Sequence, residues 1–161
     1  MRTLLLLLLA SLAVACTGSP RPDDRLHPQP DGIAPAHLVL FRDEPADTDS
    51  DGFADRVSVT TYLFPDEHAY SQPLWIEGEF RFLLLDLDRN PITEWTFSAA
   101  EASVLQRSAG DLRHYIFRLD LESKIGRVPA RSALLQGEFT PKGGTKPLRS
   151  KLVALRVGQV R

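Results

Sequence analysis

The chain has 161 residues, 43 % hydrophobic and 25 % charged, with a formal net charge of −2. That balance fits one ordinary globular core and excludes a strongly charged disordered chain or a protein that binds polyanions through bulk positive charge. A single cysteine excludes an internal disulfide.

Arg2 precedes an apolar run over residues 4–14, interrupted only by Ser11, and small Ala13 and Ala15 flank Val14 just before Cys16. A positive start, a short apolar stretch and small residues at a cut site make a secretory signal. The run is too short to remain as a membrane-spanning helix. Ala13-Val14-Ala15-Cys16 resembles the lipobox of bacterial lipoproteins, with Ala13 where that family most often has Leu. The resemblance implies removal of residues 1–15 as a signal peptide. It also implies acylation of the Cys16 sulfur and of its new amine, palmitate among the chains, and a place in the bacterial cell envelope. In two-membrane bacteria an Asp after the lipid-bearing cysteine marks inner-membrane retention; Thr17 stands there, which favours the outer membrane. Several chains on one residue anchor firmly where one alone binds only marginally. Residues 16–35 then form a tether, since Pro20, Pro22, Pro28, Pro30 and Pro35 favour extended backbone.

The body, residues 36–161, reads as strands. Residues 36–42 are short and apolar. From Arg56, Val57, Val59, Thr61 and Leu63 take one face, and Ser58, Thr60, Tyr62 and Phe64 the other, the two-residue alternation of a strand. Residues 74–88 are long for one strand, and Gly78 suggests a bulge within them. Residues 92–97 follow a turn at Pro91. Ser98-Ala99-Ala100-Glu101 has the form of a capping box and predicts a short helix to about Gln106. Residues 113–121 alternate again, with Tyr115, Phe117, Leu119 and Leu121 on one face. Residues 123–129 form a loop. Ala133, Leu135 and Phe139 mark another strand, and Val153, Leu155 and Val157 the last.

Strand follows strand without intervening helices, so the sheets are antiparallel. The expected fold is mainly β: a single two-layer antiparallel β-sandwich of about seven strands with one short helix. In its strand pattern it resembles immunoglobulin-like or transthyretin-like domains, a resemblance that implies architecture and leaves function open.

The sharpest chemical signal is the acidic loop before the second strand. Asp47, Asp49, Asp51, Gly52 and Asp55 fall at positions one, three, five, six and nine of a calcium loop. Calcium needs six to eight oxygens, alternate residues in a tight loop can aim carboxylates inward, and glycine permits the turn. The spacing resembles EF-hand, dockerin and thrombospondin type 3 calcium loops. Ser58 stands where an EF-hand has its bidentate glutamate, and the flanks are strands; Asp43 or Glu44 completes the set only if the fold brings one of them round. A plain solvated turn has the same composition, because Asp and Gly favour turns regardless.

Other chemistry is sparse. His27, His37, His68 and His114 lack the spacing of a zinc site, and the sequence has no Gly-x-Ser-x-Gly elbow and no Gly-rich phosphate loop. Glu77 and Glu79 share a strand face in the manner of a glycosidase pair or of ordinary surface charges. Trp75 and Trp95, with Tyr62 and Tyr70, either stack on sugar rings or fill the core. Residues 17–101 carry 6 Lys and Arg against 17 Asp and Glu, whereas residues 121–161 carry 9 against 2. Such asymmetry points to an interaction surface. The expectation is a non-catalytic envelope lipoprotein, joined to the membrane through its lipid and binding an envelope protein. A carbohydrate- or polymer-binding module is the second reading and an enzyme the third. Nucleic acid is not an expected partner of an exported chain.

Overall fold

A computed structural model describes residues 26–66 and 68–160. The expected signal peptide, Cys16 and the first part of the expected tether lie outside the described residues. The elements in chain order are β1 (His37–Arg42), β2 (Arg56–Phe64), β3 (Gly78–Leu85), β4 (Pro91–Phe97), α1 (Ala99–Val104), β5 (Gln106–Ala109), β6 (Leu112–Asp120), α2 (Glu122–Ile125), β7 (Arg131–Pro141), β8 (Leu148–Arg149) and β9 (Val153–Val157). One sheet has the order β1-β2-β6-β5; the other runs β4-β3-β7, with β8 and β9 both paired to the far side of β7. Every pairing is antiparallel. Two antiparallel sheets without closure into a barrel make the expected sandwich, with nine strands and two short helices among the described residues where the sequence suggests about seven and one.

The alternation in the sequence sets the core. Val57, Val59 and Leu63 of β2 and Tyr115, Phe117 and Leu119 of β6 face inward from the first sheet. Phe80, Phe82 and Leu84 of β3 and Leu135 and Phe139 of β7 meet them from the second. The ring of Phe80 sits 4.8 Å from those of Tyr115 and Phe117 and 4.6 Å from that of Phe139. Each such side chain taken fully from water stabilises the fold by roughly 1.5–3 kcal/mol. Thr61 also faces this interior, fully buried, and its hydroxyl finds no hydrogen-bond partner among the described residues.

Several local expectations shift. Residues 74–77 do not belong to β3; Leu74 makes only an isolated bridge to Leu63. Gly78 opens β3 and marks close approach, because a Cβ there would stand 2.4 Å from the Thr140 carbonyl oxygen and 2.6 Å from the Phe139 ring. The register shift falls at Leu84 and Leu85, both buried. The capping box forms: Glu101 N–H donates to Ser98 Oγ at 3.3 Å and Ser98 N–H to Glu101 Oε2 at 2.8 Å. The chain then turns directly into β5, which hairpins onto β6. The expected loop after residue 121 contains α2, ended by Gly126 at φ +65°.

Residues 26–35, read as tether, lie against the body. The Gln29 side chain brackets Trp75, donating to its carbonyl at 3.1 Å and accepting its N–H at 2.9 Å. His27 bonds Asp111 through both its backbone N–H and its ring. The Arg113 guanidinium, buried below, donates to the His27 carbonyl and lies 5.6 Å over the Trp75 ring.

Candidate metal centre

The acidic loop is held by backbone bonds to two distant parts of the chain. Ala46 and Arg56 form a bridge at the start of β2, and Asp55 N–H donates to the Ala46 carbonyl at 2.8 Å. On the other side Ala54 N–H reaches Gly158 O at 3.0 Å and Val160 N–H reaches Gly52 O at 2.8 Å. Within this frame Ser50 (φ +66°) and Gly52 (φ +89°) adopt left-handed backbone and curl the loop on itself.

Curling turns the carboxylates inward. Asp47 accepts from Ser50 N–H at 2.7 Å and from Gly52 N–H at 2.9 Å, one oxygen each. Asp49 Oδ1 accepts from Asp51 N–H at 3.1 Å, and Asp51 Oδ1 from Phe53 N–H at 2.9 Å. Asp55 reaches back, its Oδ2 accepting from both the amide and the hydroxyl of Thr48. The result is a ring in which Asp47, Asp49, Asp51 and Asp55 each present an oxygen within 4.8 Å of the others.

Four carboxylates so close repel one another, and the surroundings relieve only part of this. The Thr48 hydroxyl, then its amide, hold the Asp55 carboxyl below its ordinary range by bonding to the charged form. Arg127, from the segment after α2, places Nη2 2.6 Å from Asp51 Oδ2, an ion pair whose angle falls outside hydrogen-bond geometry. The same guanidinium stands 5.9 Å over the Phe53 ring. Asp55 is half-buried, and its Oδ1 has no hydrogen bond of ordinary geometry among the described residues, although the Asp49 amide also helps to keep the carboxyl charged. An unpaired carboxylate oxygen turned away from water is costly unless a cation completes it. The ring can therefore hold a metal ion.

Comparison with protein-family models, with curated proteins and with solved structures finds no match for this chain. What the site can do rests on its own geometry.

All four aspartates singled out from the sequence converge. Asp43 and Glu44 do not join them: Glu44 pairs with Arg42 at 2.5 Å, and Asp43 N–H bonds the Ser58 carbonyl at 3.0 Å. Ser58 itself is in β2. Arg127 has no sequence signal, because its role depends on α2 returning the chain to the loop. The two tryptophans do not share a surface. Trp95 is a core residue, 8 % exposed, whose Nε1 donates across the sandwich to Asp120 O at 3.0 Å. Trp75 is half-buried and donates to His114 O at 3.3 Å, toward the other end of β6. Glu77 pairs with Lys142 at 2.8 Å on the exterior, as ordinary surface charge does.

Proposed function

We propose that this protein is a non-catalytic lipoprotein of the bacterial envelope, held by lipid on Cys16, whose β-sandwich is a binding module braced by calcium at the 47–55 loop. The calcium part of the reading is supported by the carboxylate ring with its poorly satisfied Asp55 oxygen, and the lipid part by Ala13-Val14-Ala15-Cys16 after the apolar run. Oxygens on opposite sides of a calcium ion, at 2.3–2.6 Å from it, stand about 4.6–5.2 Å apart. The four oxygens lie within 4.8 Å of one another, close enough for one ion of that size to touch them together. The ligands come from one short loop without a twelfth-position glutamate, so affinity belongs in the weak range of extracytoplasmic modules, ~10⁻⁴–10⁻³ M.

A ligand bound only by the folded state adds RT ln(1 + [L]/Kd), about 1.4 kcal/mol at ten times Kd. The test is thermal melting in chelator and in millimolar calcium, for wild type and for Asp49→Asn combined with Asp51→Asn. Calcium raises the wild-type midpoint by several degrees. The double variant loses the Arg127 pair but also sheds repulsion between carboxylates, so its starting midpoint differs from that of wild type and the quantity compared is the calcium-induced shift, which it loses. A wild-type midpoint indifferent to calcium refutes the ion site, and equal shifts place the ion elsewhere. The anchor has its own test: Cys16→Ser leaves membranes or accumulates as uncut precursor. Membrane fractionation of that variant as processed protein, like wild type, refutes the lipid.

A further inference from the structure

The open edge of β1 has fewer devices against further pairing than the other sheet edges: Arg42, at its end, crosses to β9 and donates to Ala154 O at 3.1 Å, and nothing similar guards residues 38–40. β4 begins at Pro91 and carries exposed Glu94; β5 has four residues; the side of β7 is divided between β8 and β9 with Lys151 in the gap. Proline, charge, shortness and interruption are the usual means of blunting an edge. β1, HLVLFR, has a continuous apolar centre and ends its sheet.

The hydrogen-bond phase shows what that edge offers. Asp43 N–H bonds Ser58 O at 3.0 Å, and Leu121 N–H bonds Asp55 O at 2.7 Å. Even-numbered residues of β2 therefore turn their backbone groups toward β1, and odd-numbered ones toward β6. The β1 partners of Thr60 and Tyr62 are Phe41 and Val39. Leu38 and Leu40, on the opposite phase, direct N–H and C=O away from β2. Beside them runs a groove of about 570 Å³, walled by His37, Leu38 and Leu40 on one side and by Arg149, Lys151 and Val153 on the other. Its described lining includes two cations and no carboxylate. Glu138 already pairs with Arg149 at 2.7 Å, and no acid pairs with Lys151 among the described residues.

We infer that this edge receives an extended acidic segment of a partner protein, added as a further strand beside β1. Backbone groups of Leu38 and Leu40 supply the pairing, their side chains being buried in the core; alternate apolar side chains of the segment pack on the half-buried Leu152 and Val153 of the groove wall, and a carboxylate meets Lys151. A second copy of the chain is the poorer occupant, because its β1 would bring Arg42 to an edge that already carries Arg149 and Lys151. The inference rests on the domain being a binding module. It concerns a surface other than the acidic loop, so its failure leaves the calcium melting result standing, and the reverse holds too.

The experiment uses full-length processed protein in detergent micelles and two fluorescent eight-residue peptides, one alternating glutamate and valine, the other lysine and valine. The glutamate peptide binds, and amide exchange at Leu38 and Leu40 slows about tenfold or more while Val39, already bonded within the sheet, is unchanged. Lys151→Glu, an exposed change that leaves the melting midpoint in place, weakens the glutamate peptide by about threefold or more. Absence of binding overturns the inference. So does binding without slowed exchange at Leu38 and Leu40, equal binding of the lysine peptide, or indifference to Lys151→Glu. Concentration-dependent protection of these two amides in protein alone assigns the edge to a second copy and overturns it as well.

Discussion

Removing one ring from the centre of the sandwich tests the packing directly. Phe117 is fully buried, with ring centroids of Phe80 and Phe82 both at 4.8 Å and that of Phe97 at 4.9 Å. Phe117→Ala forfeits about 1.5–3 kcal/mol of burial. Each of the three close aromatic pairs adds roughly 0.5–1.5 kcal/mol that is also lost. Phe80 and Phe82 cannot slump into the void, because β3 is the central strand between β4 and β7. The loss should therefore sit in the upper half of the 3–5 kcal/mol range for such truncations, at about 4 kcal/mol. With a urea slope of roughly 2 kcal/mol/M the midpoint falls by about 2 M. A domain holding 5–15 kcal/mol in total loses a large share of its stability. Phe117→Leu keeps the measurement accessible if the alanine variant unfolds. Ile116→Ala is the control: Ile116 is half-buried on the outer face of the same strand, and its truncation should cost at most about 1.5 kcal/mol. Equal midpoints for Phe117→Ala and wild type, or a larger loss at Ile116, would refute the assignment of faces on β6.

Thr61→Val removes a buried hydroxyl without a described partner and should stabilise the protein by roughly 1 kcal/mol; a lower urea midpoint would show that the hydroxyl is satisfied after all. Gly78→Ala forces a methyl against the Thr140 carbonyl and the Phe139 ring and should cost about 1–3 kcal/mol, whereas an unchanged melt would mean that the start of β3 can shift aside. The Asp111 carboxyl is held below its ordinary range chiefly by its hydrogen bond with the His27 side chain, then by the His27 amide. Its folded value lies under its unfolded one, so its contribution is present above about pH 4 and is lost as pH falls through the folded value. Acid should therefore free the 26–35 segment in wild type, seen as faster exchange of the Trp75 amide, and Asp111→Asn should show fast exchange at neutral pH already. A Trp75 amide equally protected in both proteins would detach the segment's stability from this carboxylate.

How much could be read in advance depended on whether side chains or partners dictate a segment. β2 and β6 alternate because one face is buried, and that requirement is written in every second residue. The capping box of α1 is local chemistry and needed nothing from elsewhere in the chain. β5 and β8, QRSA and LR, have no buried face to announce them and exist because β6 and β7 offer backbone partners. Leu83 to Leu85 obscured the pattern because the strand changes register there, leaving Leu84 and Leu85 both buried. The four aspartates were legible because one loop contains them all, and the spacing itself encodes which way they point. Arg127 and the contacts of residues 26–35 with Trp75 and Asp111 were not, since each joins segments far apart in sequence. Trp95 shows the limit of composition: a large ring reads the same whether it lines a groove or fills a core.

The bonds between the acidic loop and residues 158–160 have a bearing on the order in which the chain can assemble. Gly52 and Ala54 find their backbone partners in Val160 and Gly158, and Phe53 bridges Gln159. A chain emerging from its amino terminus exposes the four aspartates long before those partners arrive. Contacts so distant in sequence form late, after the entropy of closing a long loop has been overcome. The carboxylate ring would reach its final geometry as one of the last events of folding. An ion captured there would then act as a seal on a finished domain, unable to serve as a seed for an unfinished one.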